Sequence, residues 1–369
     1  MKLALTFLLL FVASFAFNQN FDIYVSDAGN FNNPPWQILK FDGNGENPIV
    51  FIDNNLNWPQ DILFFEDSNF VLISNLGSGR ITKHNATTGE FIADFATSIS
   101  GPTRVKIGPD NLLYVLQWSG NGKVLRYALN GTFIDEFTSV GVPSSIGIDW
   151  DNNGNLYVSS YSGDLVRKFD ASGLDLGVFI DSDLSGPTNI WFDSNGDLLV
   201  ADYDGSAVTR FDTAGNYLSD FMLGLSKCEG VDFFPEGDIL IGNGGTSSVK
   251  LFDSDGNYVE DFIASGSGNL LNPNAVVIRE NPTISITETE GIRANIIYPT
   301  IGEEFFVNQE YLTEITSIDV YGISGRFVEK VEITNFPAWR ADNYLEGIYM
   351  VAIKFSDGSV YSEKIIVKK

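Results

Sequence analysis

Four oxygen-bearing side chains, Asp61, Asn189, Glu229 and Asp232, are the residues of this chain best suited to chemistry. Carboxylates and an amide are hard donors, and such a set suits Ca2+ or another divalent cation. A metal held that way activates water for hydrolysis. Arg104 and Lys106 offer an alternative: Asp61 pairs with Arg104, Lys106 pairs with Asp232, and the set only neutralises itself. A second cation candidate is Asp149-Trp150-Asp151-Asn152-Asn153-Gly154, which matches the start of a calcium loop through Asp149, Asp151 and Asn153. The position where such a loop needs a bidentate acid is Ser160. Asp, Asn and Gly are also the residues a plain hairpin turn prefers, and the segment reads as a turn first.

Other chemistries are bounded by scarcity. His84 is the single histidine and Cys228 the single cysteine. A two-histidine mechanism and an intramolecular disulfide are both excluded. Cys228 adjoins the apolar run Val231–Phe234 and reads as a buried thiol. Phe31, Trp36, Trp58, Trp118, Tyr161 and Tyr203 lie among Gly, Asn and Asp. Flat rings beside amides and acids suit peptide side chains or sugars, so a protein or glycan ligand is the expectation there.

The elements that must position these residues repeat. Lys40-Phe41-Asp42, Lys83-His84-Asn85, Arg126-Tyr127-Ala128, Lys168-Phe169-Asp170, Arg210-Phe211-Asp212 and Leu251-Phe252-Asp253 form one column. The period of about 42 residues suits a four-stranded propeller blade. His84 takes a place filled elsewhere by Phe or Tyr and reads as packing. Four strands, A to D, fit each period. Strand A follows Pro59, Pro102, Pro143, Pro187 and Pro273, and in one blade Cys228. The first three strands in the chain lack an A strand, and Asn274–Arg279 supplies it from the far end. The fold class is therefore all-β: a six-bladed β-propeller whose N- and C-terminal strands close one blade, so that no sheet is left open to a neighbour.

Aligning the A strands on Pro gives two apolar columns. One is Ile62, Val105, Ile146, Ile190, Val231 and Val276; the other is Phe64, Ile107, Ile148, Phe192, Phe233 and Ile278. The columns between them vary, and they hold Asp61, Arg104, Ser145 and Asn189, then Lys106, Gly147, Trp191 and Asp232. A strands line a propeller's axis, so these are channel residues, with Glu229 at the mouth. The loops from B to C and from D to A share one face, which carries the aromatic set.

The formal net charge is -26. Such a polyanion excludes nucleic acid and anionic membrane surfaces as partners. Solvation of a turn-rich surface accounts for it. Met1-Lys2, the apolar run Leu3–Val12 and Ala13-Ser14-Phe15-Ala16 read as a signal peptide over residues 1–16. No later stretch is long and apolar enough to span a membrane. The remaining division is 17–280 for the propeller, 281–293 for a linker and 294–369 for a small Ig-like β-sandwich. A monomer is expected.

Two resemblances follow. Val142–Gly173 and Pro187–Gly215 resemble NHL repeats. That resemblance implies a six-bladed scaffold whose fold relatives include binding proteins, gluconolactonase-type hydrolases and histidine-dependent lyases. The single histidine speaks against the lyases. The C-terminal pieces, Val320-Tyr321-Gly322-Ile323-Ser324-Gly325-Arg326, Leu345-Glu346-Gly347-Ile348-Tyr349 and Lys364-Ile365-Ile366-Val367-Lys368-Lys369, resemble the sorting domain of the Bacteroidetes type IX secretion system. Gly325, Gly347, Tyr349, Lys364 and Lys369 carry the match. It departs from the family at Thr300-Ile301, after Tyr298-Pro299, and at Gly322. The resemblance implies the type IX machinery as a partner. It also implies passage through the periplasm to the cell surface or the medium.

Overall fold

The computed structural model describes residues 21–281, 296–322, 327–331 and 338–369. The expected leader, most of the expected linker and Gly325 lie outside the described residues. The chain divides into two compact units, Met1–Asn281 and Pro282–Lys369. No helix among the described residues is long and apolar enough to cross a membrane.

The first unit consists of six four-stranded antiparallel sheets. Their innermost A strands are Pro273–Glu280 in blade 1, then Pro59–Phe65, Pro102–Ile107, Ser145–Trp150, Pro187–Phe192 and Cys228–Phe233 in blades 2 to 6. The closure expected from the repeat is present: Phe21–Asp27 pairs with Pro273–Glu280, so that Ile23 faces Ile278 and Val25 faces Val276. This is how a ring built from one chain protects its seam.

Each interface between blades has its own apolar core. Tyr24, Ile38 and Ile52 of blade 1 pack against Ile62, Val71 and Ile73 of blade 2. Equivalent clusters fill the other five interfaces. Burying each such side chain contributes about 1.5–3 kcal/mol. His84 belongs to this framework. It is fully buried and sits edge-on to Phe91 with centroids 5.6 Å apart. One ring nitrogen lies 3.1 Å from the Gly89 carbonyl, and burial lowers its pKa. Cys228 is equally buried; its Sγ meets the Asp202 carbonyl at 3.3 Å, and burial pushes the thiol up to about 12. An inert thiol is the result.

Aspartates cap the turns, which is where much of the negative charge resides. Asp170, Asp212 and Asp253 each begin a C–D hairpin and accept two backbone N–H groups of that hairpin. Asp151 does the same for an A–B hairpin, through the N–H groups of Asn153 and Asn155. Asp151–Gly154 is thus a hairpin turn in which Asn153 offers Asp151 a backbone N–H, while Asp149 belongs to the A strand before it.

The last residue of each B strand is polar and buried: Asp27, Asn75, Gln117, Ser160, Asp202 and Asn243. Five of them accept an N–H from a D–A loop; for example, Asn75 Oδ1 accepts from Asn57 at 2.9 Å and Asn243 Oδ1 from Ser226 at 2.7 Å. Ser160 instead donates to Pro143 O at 2.6 Å. These residues fix the loops of one face.

The second unit is a sandwich. Ile297–Tyr298, Glu304–Val307 and Ala338–Arg340 form one sheet, and a five-stranded sheet faces it. Phe305 and Trp339 from the first pack with Ile318, Val320, Ile353 and Ile365 from the second. Gly347 begins the strand Gly347–Phe355 and pairs with Val367, while Lys364 faces Met350. The Tyr349 hydroxyl donates to Leu345 O at 2.9 Å. The Lys369 ammonium donates to Asp342 O at 2.8 Å.

The seam generates a first test. Asp27 is fully buried and accepts from Gly29, Gln37, Leu271 and Asn272 at 2.9–3.2 Å. Two of those donors come from the far end of the unit. Asp27→Ala leaves them unpaired and is expected to cost about 3 kcal/mol. Urea unfolding measures this; a loss under about 0.5 kcal/mol contradicts the role given to Asp27.

Candidate functional site: the two mouths of the channel

The A strands position every channel residue, and their register differs from the Pro alignment in one blade. Ser145, not Pro143, pairs with the last residue of its B strand, as Pro102, Pro187 and Cys228 do. Blade 4 is therefore shifted by two. Ile148 joins the column of Ile62 and Val105, Gly147 joins that of Arg104, and Asp149 joins that of Lys106. Strand side chains alternate with a period of two. A slip of two keeps the apolar pattern intact, so the pattern could not reveal it.

The slip moves Asp149 into the channel. Its Oδ1 lies 2.7 Å from Lys106 Nζ. The expected Lys106–Asp232 pair is absent; Lys106 is joined to the neighbouring blade instead. Asp149 Oδ2 accepts the Phe192 N–H at 3.0 Å. Asp61 accepts the Val105 N–H at 2.8 Å and Asp232 the Ile278 N–H at 2.7 Å. In blades 2, 4 and 6, an A-strand aspartate thus clamps the next blade's A strand.

Arg104 closes the channel toward the B–C and D–A loops. It is 5% exposed. Its Nε donates to Asn189 Oδ1 at 2.8 Å, and its Nη2 meets Glu229 Oε1 at 3.2 Å. Asp61 stands 3.7 Å away, so the expected Asp61–Arg104 pair forms, with Glu229 the nearer acid. The carbonyls of Gln60 and Asn274 accept the remaining N–H groups. One guanidinium thus joins blades 1, 2, 5 and 6 to its own blade 3.

This arrangement bears on the cation reading. Asp61 and Glu229 face Arg104, and Asn189 spends its oxygen on Arg104 and its Nδ2 on Glu229 O at 2.6 Å. Asp151 is held in its hairpin and Asn153 beside it, apart from Asp149. Among the described residues, no three acid, histidine or cysteine side chains gather as metal ligands. The set Asp61, Glu229, Asp232, Asp149, Asp151 and Asn153 is therefore not brought together.

Burial raises the acids. It pushes Glu229 up to about 7 against the pull of Arg104, with Asp61 adding repulsion. It pushes Asp232 up to about 6 against two backbone N–H bonds. Asp61 is raised by the same desolvation.

Above Arg104 lies the aromatic face. Trp118, Tyr161 and Tyr203 each directly follow a B strand, in three consecutive blades. Their rings form an arc with centroid separations of 5.6 and 5.8 Å. The N–H of Tyr161 donates to Ser144 O, and that of Tyr203 to Gly186 O. Gly186 has a φ of +66°, and a Cβ there would meet the Tyr161 ring at 2.8 Å. The Tyr161 hydroxyl donates to Asp204 at 2.8 Å, and burial with that carboxylate pushes the phenol up to about 12. Across the face, Phe31 and Trp58 pack 5.3 Å apart. Trp36 joins them through Nε1 to Phe31 O at 2.8 Å. Trp58 occupies the residue before its A strand with a φ of +51°, the position taken by Gly101, Ser144, Gly186 and Lys227 in blades 3 to 6. A bulky residue in that region is strained, and the Trp58 Nε1 is buried without a hydrogen-bond partner among the described residues. The sequence reading missed the polar B-strand ends that hold these loops; their place at a fixed distance before each B–C loop was the available signal.

The fold and this geometry define a six-bladed β-propeller with differentiated channel mouths. No family model matches the chain. No curated protein matches it either. Solved structures do. One is a chain in the crystal structure of a nidogen/laminin complex, with TM-score 0.57 and 14% identity, covering 70% of this chain and 98% of that one. Another is a protein of unknown function from Bacteroides caccae, with TM-score 0.57 and 16% identity at the same coverage. At these identities the likeness is one of fold.

The raised acids fix a pH dependence. Glu229 and Asp232 hold protons more tightly folded than unfolded. From the ordinary carboxylate range up to about 7 the folded chain binds more protons, so stability falls as pH rises through that window. The melting temperature is expected to be higher at pH 5.5 than at pH 7.5, and Glu229→Gln should flatten part of that slope. An unchanged slope in the variant would place the titration elsewhere.

Proposed function

We propose that this chain is a secreted or cell-surface binding propeller that engages a protein or glycan through the aromatic face. The observation that carries the reading is the Trp118–Tyr161–Tyr203 arc: three half-buried rings in one structural position on consecutive blades. Buried polar side chains anchor the loops beneath them, so the face is preorganised and little ordering is lost on binding. Rigid aromatics on a fixed scaffold are the usual anchors of recognition. The Asp204 carboxylate and the Tyr161 hydroxyl supply polar contacts at the rim. The nidogen chain comes from a complex with laminin, which favours a protein ligand over a glycan.

Export by the type IX machinery belongs to the same proposal. Its supports are the leader over residues 1–16 and the C-terminal resemblance. Release and surface anchoring are both compatible with it. A metal-dependent hydrolase draws no support from the channel acids, which are engaged with Arg104, Lys106 and backbone N–H groups.

The proposal is tested with protein and glycan arrays probed by the mature chain. Trp118→Ala with Tyr161→Ala is expected to weaken any captured ligand at least a hundredfold while leaving the melting temperature within a few degrees. Undiminished affinity would move the binding surface away from the arc.

A further inference from the structure

The other half of the channel is a separate space. Below Arg104, toward the A–B loops, lies a cavity of about 300 Å3 lined by Lys106, Asn189, Trp191, Asp232 and Phe233 together with apolar A-strand residues. That volume is at the lower end of small-molecule sites. Arg104 separates it from the aromatic face. Of its lining residues, Phe233 is well exposed, at 41%.

Among the described residues, one carboxylate in this half faces no cation. Arg104 is matched by Asp61 and Glu229, and Lys106 by Asp149. Asp232 accepts only backbone N–H groups, from Phe233 at 2.9 Å and Ile278 at 2.7 Å. Among the described residues, no cation lies within ion-pair distance of it. Each of its oxygens retains a lone pair. Beside it, Trp191 and Phe233 meet edge to face with centroids 5.7 Å apart. A carboxylate without a cation, in a narrow space walled by rings, favours a positive ligand with an apolar body.

We propose that this cavity binds a small organic cation, a primary arylalkyl- or alkylammonium, with Asp232 as its counter-ion and Trp191 and Phe233 against its body. A metal ion is not favoured, since Asp232 stands without further acid ligands. An anion is not favoured either, because Asp149 already satisfies Lys106. The site is independent of the aromatic face and lies at the opposite mouth.

The probe is phenethylammonium, titrated calorimetrically and by thermal shift into the mature full chain at pH 7.5, with 2-phenylethanol as the uncharged isostere. Saturable binding of the ammonium and none of the alcohol is expected. Asp232→Asn should weaken binding at least tenfold. Phe233→Ala, at a partly exposed position that leaves the fold intact, should weaken it several-fold. No saturable binding, equal binding of the alcohol, or unchanged affinity in Phe233→Ala overturns the proposal. Loss on Trp118→Ala instead would place the ammonium at the other mouth and overturn it equally.

Discussion

A single guanidinium sits where six blades converge. Arg104 reaches from blade 3 to acceptors on blades 1, 2, 5 and 6, and it leaves almost no surface to solvent. A buried cation is tolerable only when its hydrogen bonds and charge are met. Here three side chains and two carbonyls meet them, and each contributor is fixed by its own strand. The constraint runs in both directions. The A strands must keep their register to surround Arg104, and Arg104 keeps Asp61 and Glu229 from being uncompensated buried acids. The consequence for function is a buried guanidinium between the cavity of the A–B end and the loops of the aromatic face.

The rest of the ring follows the same logic on a smaller scale. Apolar columns make each interface adhesive but not directional. Direction comes from side chains that bond to the main chain of the next blade. Ser26 reaches Pro59 O, Thr103 reaches Ser145 O, Ser159 reaches Thr188 O, and Thr188 reaches Cys228 O. Asp232 does this for the last interface by accepting from Ile278. The acidic residues of the channel are thus partly structural, and their negative charge is the by-product of holding backbone N–H groups. The acidity of the turns has the same origin.

Much of this was legible before the structure. The 42-residue column, the six sets of strands and the closing strand after Pro273 all stand in the residues, because turn chemistry and aromatic spacing repeat plainly. The packing roles of His84 and Cys228 were legible from their place in those columns. The register of blade 4 was not. Pro143 looked like the marker that the other blades carry, and a two-residue slip preserves alternation. That slip hid the channel role of Asp149 and produced the mistaken Lys106–Asp232 pairing. The aromatic set was read as one face. The structure resolves it into an arc on blades 3 to 5 and a separate Phe31–Trp58 pair, since only position after a B strand, not residue type, decides which rings meet.

The most direct measurement is the unfolding free energy of Arg104→Leu and of Glu229→Leu, each set beside the double variant. Removing the cation alone leaves two acids buried without it, and a loss of about 3–5 kcal/mol is expected. The double variant removes one of those acids and should recover part of that loss, because the two groups are coupled. A single variant as stable as the parent, or two losses that simply add, would contradict a ring organised around Arg104.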